Sequence, residues 1–264
     1  MPDRQIMTKW TASPGVKATR DEIVATYDGY APFYADVTVW EEETRDTVVA
    51  RADIRKGQRV LDCGCGPGTV VLEAAARVGP SGEVCGVDLS QKMLAEATQR
   101  AEKVGLEDRI SLQTADLYAG LPFESDSFDV VISTYVFDLI DTPELPKLMA
   151  ELVRVLKPGG KLVLGSWTFG EGSHQSSSDL YVEVYQRIKV AFACRPLHLQ
   201  PCLDELELAN LEREYIPHAL TPDQARLLFG PLAPELTAHP DLEQRVAEIE
   251  SFVFSSEVLS GTKP

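Results

Sequence analysis

A chain of 264 residues, 44% hydrophobic and 25% charged, can bury a full single-domain core with one appended region and has the make-up of an ordinary globular protein. Its 41 acidic against 25 basic side chains give a formal charge of −16, and the basic ones are scattered singly, which argues against a nucleic-acid partner. No window reaches the ~18 apolar residues of a membrane span, and residues 1–11 lack the apolar core of a secretion signal, so a cytoplasmic location is expected.

In chain order, Thr19-Arg20-Asp21-Glu22 fits a capping box and predicts a helix opening there, with Ile23, Tyr27 and Ala31 on one face and Tyr30 and Tyr34 nearby. A second helix is expected over 41–54, then a turn at Lys56-Gly57-Gln58. From there strands and helices alternate. Strands are predicted at 59–63, 83–87, 110–113, 128–133 and 161–167, and helices at 69–78, 90–104 and 142–156. Gly79-Pro80 and Gly105 stop the first two helices, Ser90 caps the second, and Pro143 opens the third. The run Phe128-Asp129-Val130-Val131-Ile132-Ser133 is apolar enough to be covered on both faces. Such alternation implies a parallel sheet with right-handed crossovers and ligands at the carboxyl ends of its strands.

After Gly170 the rhythm fails. Residues 172–178 read as a polar loop, and 180–194, 221–229 and 241–254 as helices. The expected fold is therefore α/β: a Rossmann-like, doubly wound, mostly parallel sheet over 56–169. It follows an N-terminal helical segment, 1–55, and carries a mainly helical C-terminal cap, 170–264.

Cys63, Cys65, Cys85, Cys194 and Cys202 show no disulfide framework and read as small hydrophobes. Neither the Cys63/Cys65 pair nor any histidine spacing suits a metal, so none is expected.

The sharpest signal is Val60-Leu61-Asp62-Cys63-Gly64-Cys65-Gly66-Pro67-Gly68-Thr69, where a strand ends and a helix begins. Alternate glycines let the backbone turn tightly and a ligand approach it, and the helix-start N–H groups favour a carboxylate. A dinucleotide fingerprint would place its last glycine at position 69. That residue is Thr69, and the glycine falls one earlier, at Gly68, giving D-x-G-x-G-x-G.

This pattern resembles the first motif of the class I S-adenosylmethionine-dependent methyltransferases, and the likeness extends over roughly residues 56–168. It continues through Val84-Cys85-Gly86-Val87-Asp88-Leu89-Ser90, Ala115-Asp116-Leu117, Pro122-Phe123, Phe128-Asp129-Val130-Val131 and Leu156-Lys157-Pro158-Gly159-Gly160. The N-terminal Tyr27-x-x-x-Ala31-x-x-Tyr34 looks like the helix that closes over the cofactor in the ubiquinone/menaquinone C-methyltransferase-like group.

The resemblance implies S-adenosylmethionine as cofactor. Asp62 and the stretch Gly64, Cys65, Gly66 and Gly68 would border its methionine part, and Asp88 its ribose. Leu89 and Met93 would lie against the adenine, and Asp116 and Leu117 at the adenine edge. Tyr27 and Tyr34 would lie over the cofactor, and Thr134, Tyr135 and Val136 beside the methyl donor.

Methyl transfer from a sulfonium needs chiefly alignment and exclusion of water, with a base only where the acceptor must lose a proton. Ser133-Thr134-Tyr135-Val136 stands where methyltransferases of DNA bases and protein glutamine often carry Asn/Asp-Pro-Pro-aromatic. A small-molecule acceptor is therefore expected, methylated at carbon, oxygen or nitrogen. Of His174, His198, His218 and His239, His174 is the candidate base, with Tyr135 as the other catalytic candidate. Tyr181, Tyr185 and Phe192 could wall an acceptor pocket or simply pack a core. The closing pair of antiparallel strands usual in this family is not discernible, except for a possible trace at Phe252-Val253-Phe254. The rival readings are an enzyme of this fold with another reaction, such as a cyclisation, a non-catalytic cofactor-binding protein, and a nicotinamide oxidoreductase, which Thr69 disfavours.

Overall fold

The computed structural model describes residues 18–34, 38–188, 195–229 and 233–264. Phe192 and Cys194 lie outside them. Seven strands form one sheet in the order β3-β2-β1-β4-β5-β7-β6, from β1 (Arg59–Cys63), β2 (Glu83–Asp88), β3 (Ile110–Thr114), β4 (Phe128–Thr134) and β5 (Leu156–Trp167) to β6 (Ala209–Leu220) and β7 (Phe252–Thr262). The first five pair in parallel. β7 runs antiparallel between β5 and the edge strand β6. Strand order reverses between β1 and β4, which opens a crevice at their carboxyl ends.

Ten helices among the described residues dress the sheet. α1 (Arg20–Tyr30) and α2 (Glu42–Ala52) precede it. α3 (Thr69–Val78), α4 (Gln91–Val104) and α5 (Leu145–Val155) are its crossovers. α6 (Gln175–Arg187), α7 (Gln200–Leu203), α8 (Pro222–Phe229), α9 (Ala233–Leu236) and α10 (Pro240–Ala247) follow. The crossover helices form because apolar residues recur at helical spacing. α3 thereby buries Val70, Val71, Ala74, Ala75 and Val78 on one face of the sheet. α5 buries Leu145, Leu148, Met149, Leu152 and Val155 on the other. With both faces covered, β4 is almost wholly buried, as its apolar run implies.

The C-terminal expectation needs correction in three places, the first being the polar loop expected over 172–178, which is a 3-10 turn at Gly172–His174 and helix from Gln175. Residues 209–220 are a strand, and the helix expected over 241–254 ends at Ala247, giving way to β7. Together β6 and β7 are the closing antiparallel pair that the sequence hid. β7 is buried on both faces yet carries Ser255, Ser256, Glu257 and Ser260 inside, so neither alternation nor an apolar run marks it. β6 holds Pro217 and the charged run Glu212-Arg213-Glu214, which an edge strand tolerates because one side of its ladder faces water. Glu257 is fully buried and bound twice: Oε1 accepts from the Leu199 N–H at 2.8 Å and Oε2 from Arg213 Nε at 2.7 Å. Trp167, Tyr181, Tyr185, Phe229, Phe252 and Phe254 pack into a separate aromatic cluster between α6, α8 and β7. Tyr181 and Tyr185 are thus core residues and not pocket walls.

Candidate functional site

The crevice at the carboxyl ends of β1, β2 and β4 is an open cleft of about 1080 Å³, solvent at its mouth included. Its floor follows from local sequence. β1 ends at Asp62-Cys63, and the chain doubles back as Gly64 and Cys65 donate their N–H groups to Val87 O on β2 at 2.7 and 2.9 Å. Gly64 takes φ +73°, and a Cβ there would collide with the side chain of Val136. Gly68, at φ +81°, caps α3 where a Cβ would stand 2.9 Å from that of Ala97. Only glycine meets both demands.

Two carboxylates flank this turn. Asp88 ends β2, its Oδ2 accepting from Gly66 N–H and its Oδ1 from Ser90 N–H, both at 2.8 Å. Burial raises its pKa and these backbone donors oppose the rise. Asp62 is 1% exposed, and its Oδ1 has no hydrogen-bond partner. Burial, reinforced by the neighbouring Asp88 charge, pushes the Asp62 carboxyl up to about 8. A buried carboxylate oxygen without a donor is costly unless a donor or cation arrives to meet it.

The roof is α1, which opens on the anticipated capping box at Thr19 and Glu22 and buries none of its own residues. Polar contacts hold it at both ends. Arg20 pairs with Asp116 and lies 4.5 Å over the Tyr118 ring. Asp28 Oδ1 accepts from Ser90 Oγ, the cap of α4, at 2.5 Å. Tyr27 and Tyr34 meet beneath it, ring centroids 5.9 Å apart.

Of the residues singled out from sequence, Tyr27, Tyr34, Gly64, Cys65, Gly66, Asp88, Leu89, Met93, Asp116, Leu117, Thr134, Tyr135 and Val136 all line this one cleft. Asp62 and Gly68 belong to the turn but not to the lining. Tyr135 adopts φ +54°, a strained conformation for a bulky residue, and shares a 2.8 Å hydrogen bond with Ser256 Oγ.

His174 does not join them. It ends a 3-10 turn before α6 and stacks on Tyr215 of β6, Nδ1 lying 3.2 Å from the phenol oxygen. His218 is buried with Nε2 3.0 Å from Thr44 Oγ1, His198 stands 3.3 Å from Thr168 Oγ1, and His239 precedes α10. No histidine lines the cleft.

Sequence reasoning missed Glu41, Arg45, Thr38 and Arg20, all of which line it. Glu41 is 8% exposed and accepts from Arg45 Nη1 at 2.9 Å. Burial pushes its carboxyl up to about 8, with Arg45 opposing and the Asp138 charge adding to the rise. In sequence it opens the run Glu41-Glu42-Glu43, which reads as an ordinary solvated first helical turn.

A methyltransferase-domain family model matches residues 60–160. A demethylmenaquinone methyltransferase of Symbiobacterium thermophilum is 34% identical over 148 residues, 56% of this chain and 57% of that protein. The chain covers between 49% and 63% of the lengths of the first curated relatives it matches. Among solved structures, the YcgJ protein of Bacillus subtilis aligns at a TM-score of 0.65 with 20% identity, over 84% of this chain and 98% of that one. The cyclase SpnF aligns at 0.62 with 21% identity, over 95% and 99%. These two share the fold. The glycine turn lies within the matched domain, and the strand order agrees with the fold of these structures. Residues 60–160 match the methyltransferase-domain family, and the chain is similar to the class I S-adenosylmethionine-dependent methyltransferases of the quinone C-methyltransferase-like group.

Proposed function

We propose that this chain binds S-adenosylmethionine in the cleft and transfers its methyl group to a small hydroxylated ring of the quinol kind. The observation that carries the reading is the orphaned, buried Oδ1 of Asp62 below the glycine turn. An amino acid's ammonium group is a donor and a cation together, the kind of partner this oxygen lacks. Asp88 keeps lone pairs for ribose hydroxyls beyond its two backbone bonds, and Asp116 and Leu117 take the adenine edge, with Leu89 and Met93 against its face. Tyr27 and Tyr34 under α1 keep water out. When bound, S-adenosylmethionine supplies a methyl group already activated by its sulfonium. The chain's part is then to align the acceptor beside Thr134, Tyr135 and Val136 in a dry site. The likeness to a demethylmenaquinone methyltransferase favours a quinol-type acceptor, and the acidic surface a non-nucleic one.

On this reading 1–55 closes over the cofactor, 56–169 binds it and 170–264 covers the acceptor side, all in the cytoplasm. Among the described residues no helix is long and apolar enough to cross a membrane.

Calorimetry with S-adenosylhomocysteine and with NAD tests the cofactor: the first should bind and the second should not. The reverse result would sink the reading. Transfer of labelled methyl from S-adenosylmethionine into 1,4-dihydroxynaphthalene tests the reaction. Cofactor binding without labelled product from any hydroxylated ring would shift the assignment to a non-methylating enzyme of this fold or to a non-catalytic binder.

A further inference from the structure

Beyond the cofactor residues, the cleft contains one buried carboxylate that nothing above employs. α2 crosses the sheet with Val48 and Thr44 over Gly165 of β5, and Thr44 lies on the same side as Thr134 at the end of β4. Glu41, one turn earlier, therefore projects past the strand ends into the cleft it lines. It occupies the N-cap position of α2, yet its side chain makes no capping bond. The carboxylate thus serves the cleft and not the helix. The groups facing it are few. Arg45 comes from α2, with Nη1 at 2.9 Å, and Thr38 from the preceding turn. Tyr135 and Asp138 come from the segment after β4.

We propose, resting on the methyl-transfer reading, that Glu41 is the catalytic base, and that the acceptor presents a ring hydroxyl to it. The hydroxyl proton passes to a Glu41 carboxylate oxygen. The electron pair so freed, directly or through the ring, forms the bond to the methyl carbon, while the pair of the broken carbon–sulfur bond stays on sulfur as a thioether. Where the ring carbon is methylated, its displaced proton returns to the hydroxyl oxygen, and in either case Glu41 releases one proton to solvent. Arg45 keeps the carboxylate oriented and favours its ionised form. Asp138 and the low exposure oppose ionisation, which makes Glu41 a strong base for a phenolic proton once pH approaches about 8 and the carboxyl ionises.

The alternative is a purely structural Glu41–Arg45 ion pair, and a chromogenic phenol separates the two. With S-adenosylhomocysteine bound, 3-nitrophenol, whose solution pKa lies above that of the Glu41 carboxyl, is added in buffer between the two values and its absorbance is followed. Wild type should bind it as the yellow phenolate, Glu41→Gln as the colourless phenol, and Glu41→Asp should restore part of the yellow band. All three should hold S-adenosylhomocysteine equally. In turnover of 1,4-dihydroxynaphthalene, Glu41→Gln should lose about 10²–10⁴-fold. Because Glu41→Gln could fail to fold, the carboxyl carbon of Glu41 in ¹³C-labelled wild type is also followed by NMR and should shift to its protonated position as the phenol binds. Three results would overturn the proposal: the same protonation state of bound phenol in wild type and Glu41→Gln, a carboxyl resonance unmoved by the probe, or no binding of the probe to a protein that does hold S-adenosylhomocysteine. Failure of S-adenosylhomocysteine itself to bind would instead strike the cofactor reading beneath it.

Discussion

The floor and the roof of the cleft are built on different physics. The floor is part of the core: left-handed glycines lock into Val136 and Ala97, backbone N–H groups fix Asp88, and α3 packs its apolar face below. The roof, α1, buries nothing of its own and depends on Arg20 with Asp116 and Tyr118 and on Asp28 with Ser90. Elements with few apolar contacts open locally at far lower free energy than the core. The floor should therefore unfold only with the protein, whereas the roof can lift without it. That difference provides a route for a cofactor whose polar ends are gripped from below.

The sharpest way to break this contrast is Gly64→Ala. A side chain at φ +73° carries a left-handed penalty of roughly 1–2 kcal/mol, and the overlap with Val136 adds roughly 1–3 kcal/mol. The substitution should lower the global unfolding free energy by about 2–5 kcal/mol in urea titration, with the m-value unchanged. A loss below about 1 kcal/mol would mean that the turn yields, and that the floor is no more rigid than the roof.

Next in size is Asp62→Asn. It removes one charge-assisted contact, and S-adenosylhomocysteine binding should weaken by about 1.5–3 kcal/mol, read by calorimetry. The pH dependence is the more specific test. The Asp62 carboxyl is held up to about 8 without ligand, whereas an ammonium partner needs it ionised. Affinity should therefore rise as pH climbs towards about 8 and level off above it. In Asp62→Asn that rise should vanish. Stability of the ligand-free protein runs the other way. A folded-state pKa above the unfolded one means that stability is full below the ordinary carboxylate range and is lost as pH rises through about 8. Asp62 and Glu41 contribute to this loss, as do Asp88 and Glu257, which burial also raises, so Asp62→Asn and Glu41→Gln should each remove part of it. A flat stability profile in wild type between these limits would show these carboxylates to be solvated.

Much of the floor was legible because its chemistry is local: a tight turn needs glycine where it stands, and Asp88 follows from the end of a strand. The roof was half legible. The capping box at Thr19 and the tyrosines of α1 stand out, but the pairing of Arg20 with Asp116 spans 96 residues and has no local signature. Glu41 was hidden in a run of three glutamates whose other two members are solvated. β7 was hidden by its own interior, where Glu257 and three buried serines among hydrophobes break both periodicities. The partners of Glu257, Arg213 and the Leu199 N–H, come from distant segments. His174 misled for the opposite reason: it follows β5 closely in sequence, yet the turn before α6 swings it onto Tyr215.

The smallest expected effect bears most directly on the roof. Asp28→Ala removes the bond to Ser90 Oγ and the weaker 3.9 Å approach of Lys92. One part-buried hydrogen bond of this kind contributes roughly 0.5–1.5 kcal/mol, so the urea midpoint should move only a little. Hydrogen exchange of the α1 amides should accelerate nonetheless, because no residue of this helix is buried, while the amides of β1 and α3 keep their protection. S-adenosylhomocysteine should then dissociate faster with little change in its association rate, as the opened roof releases what the floor still recognises. Equal acceleration of exchange in α1 and α3 would instead tie the roof to the core and remove the distinction between them.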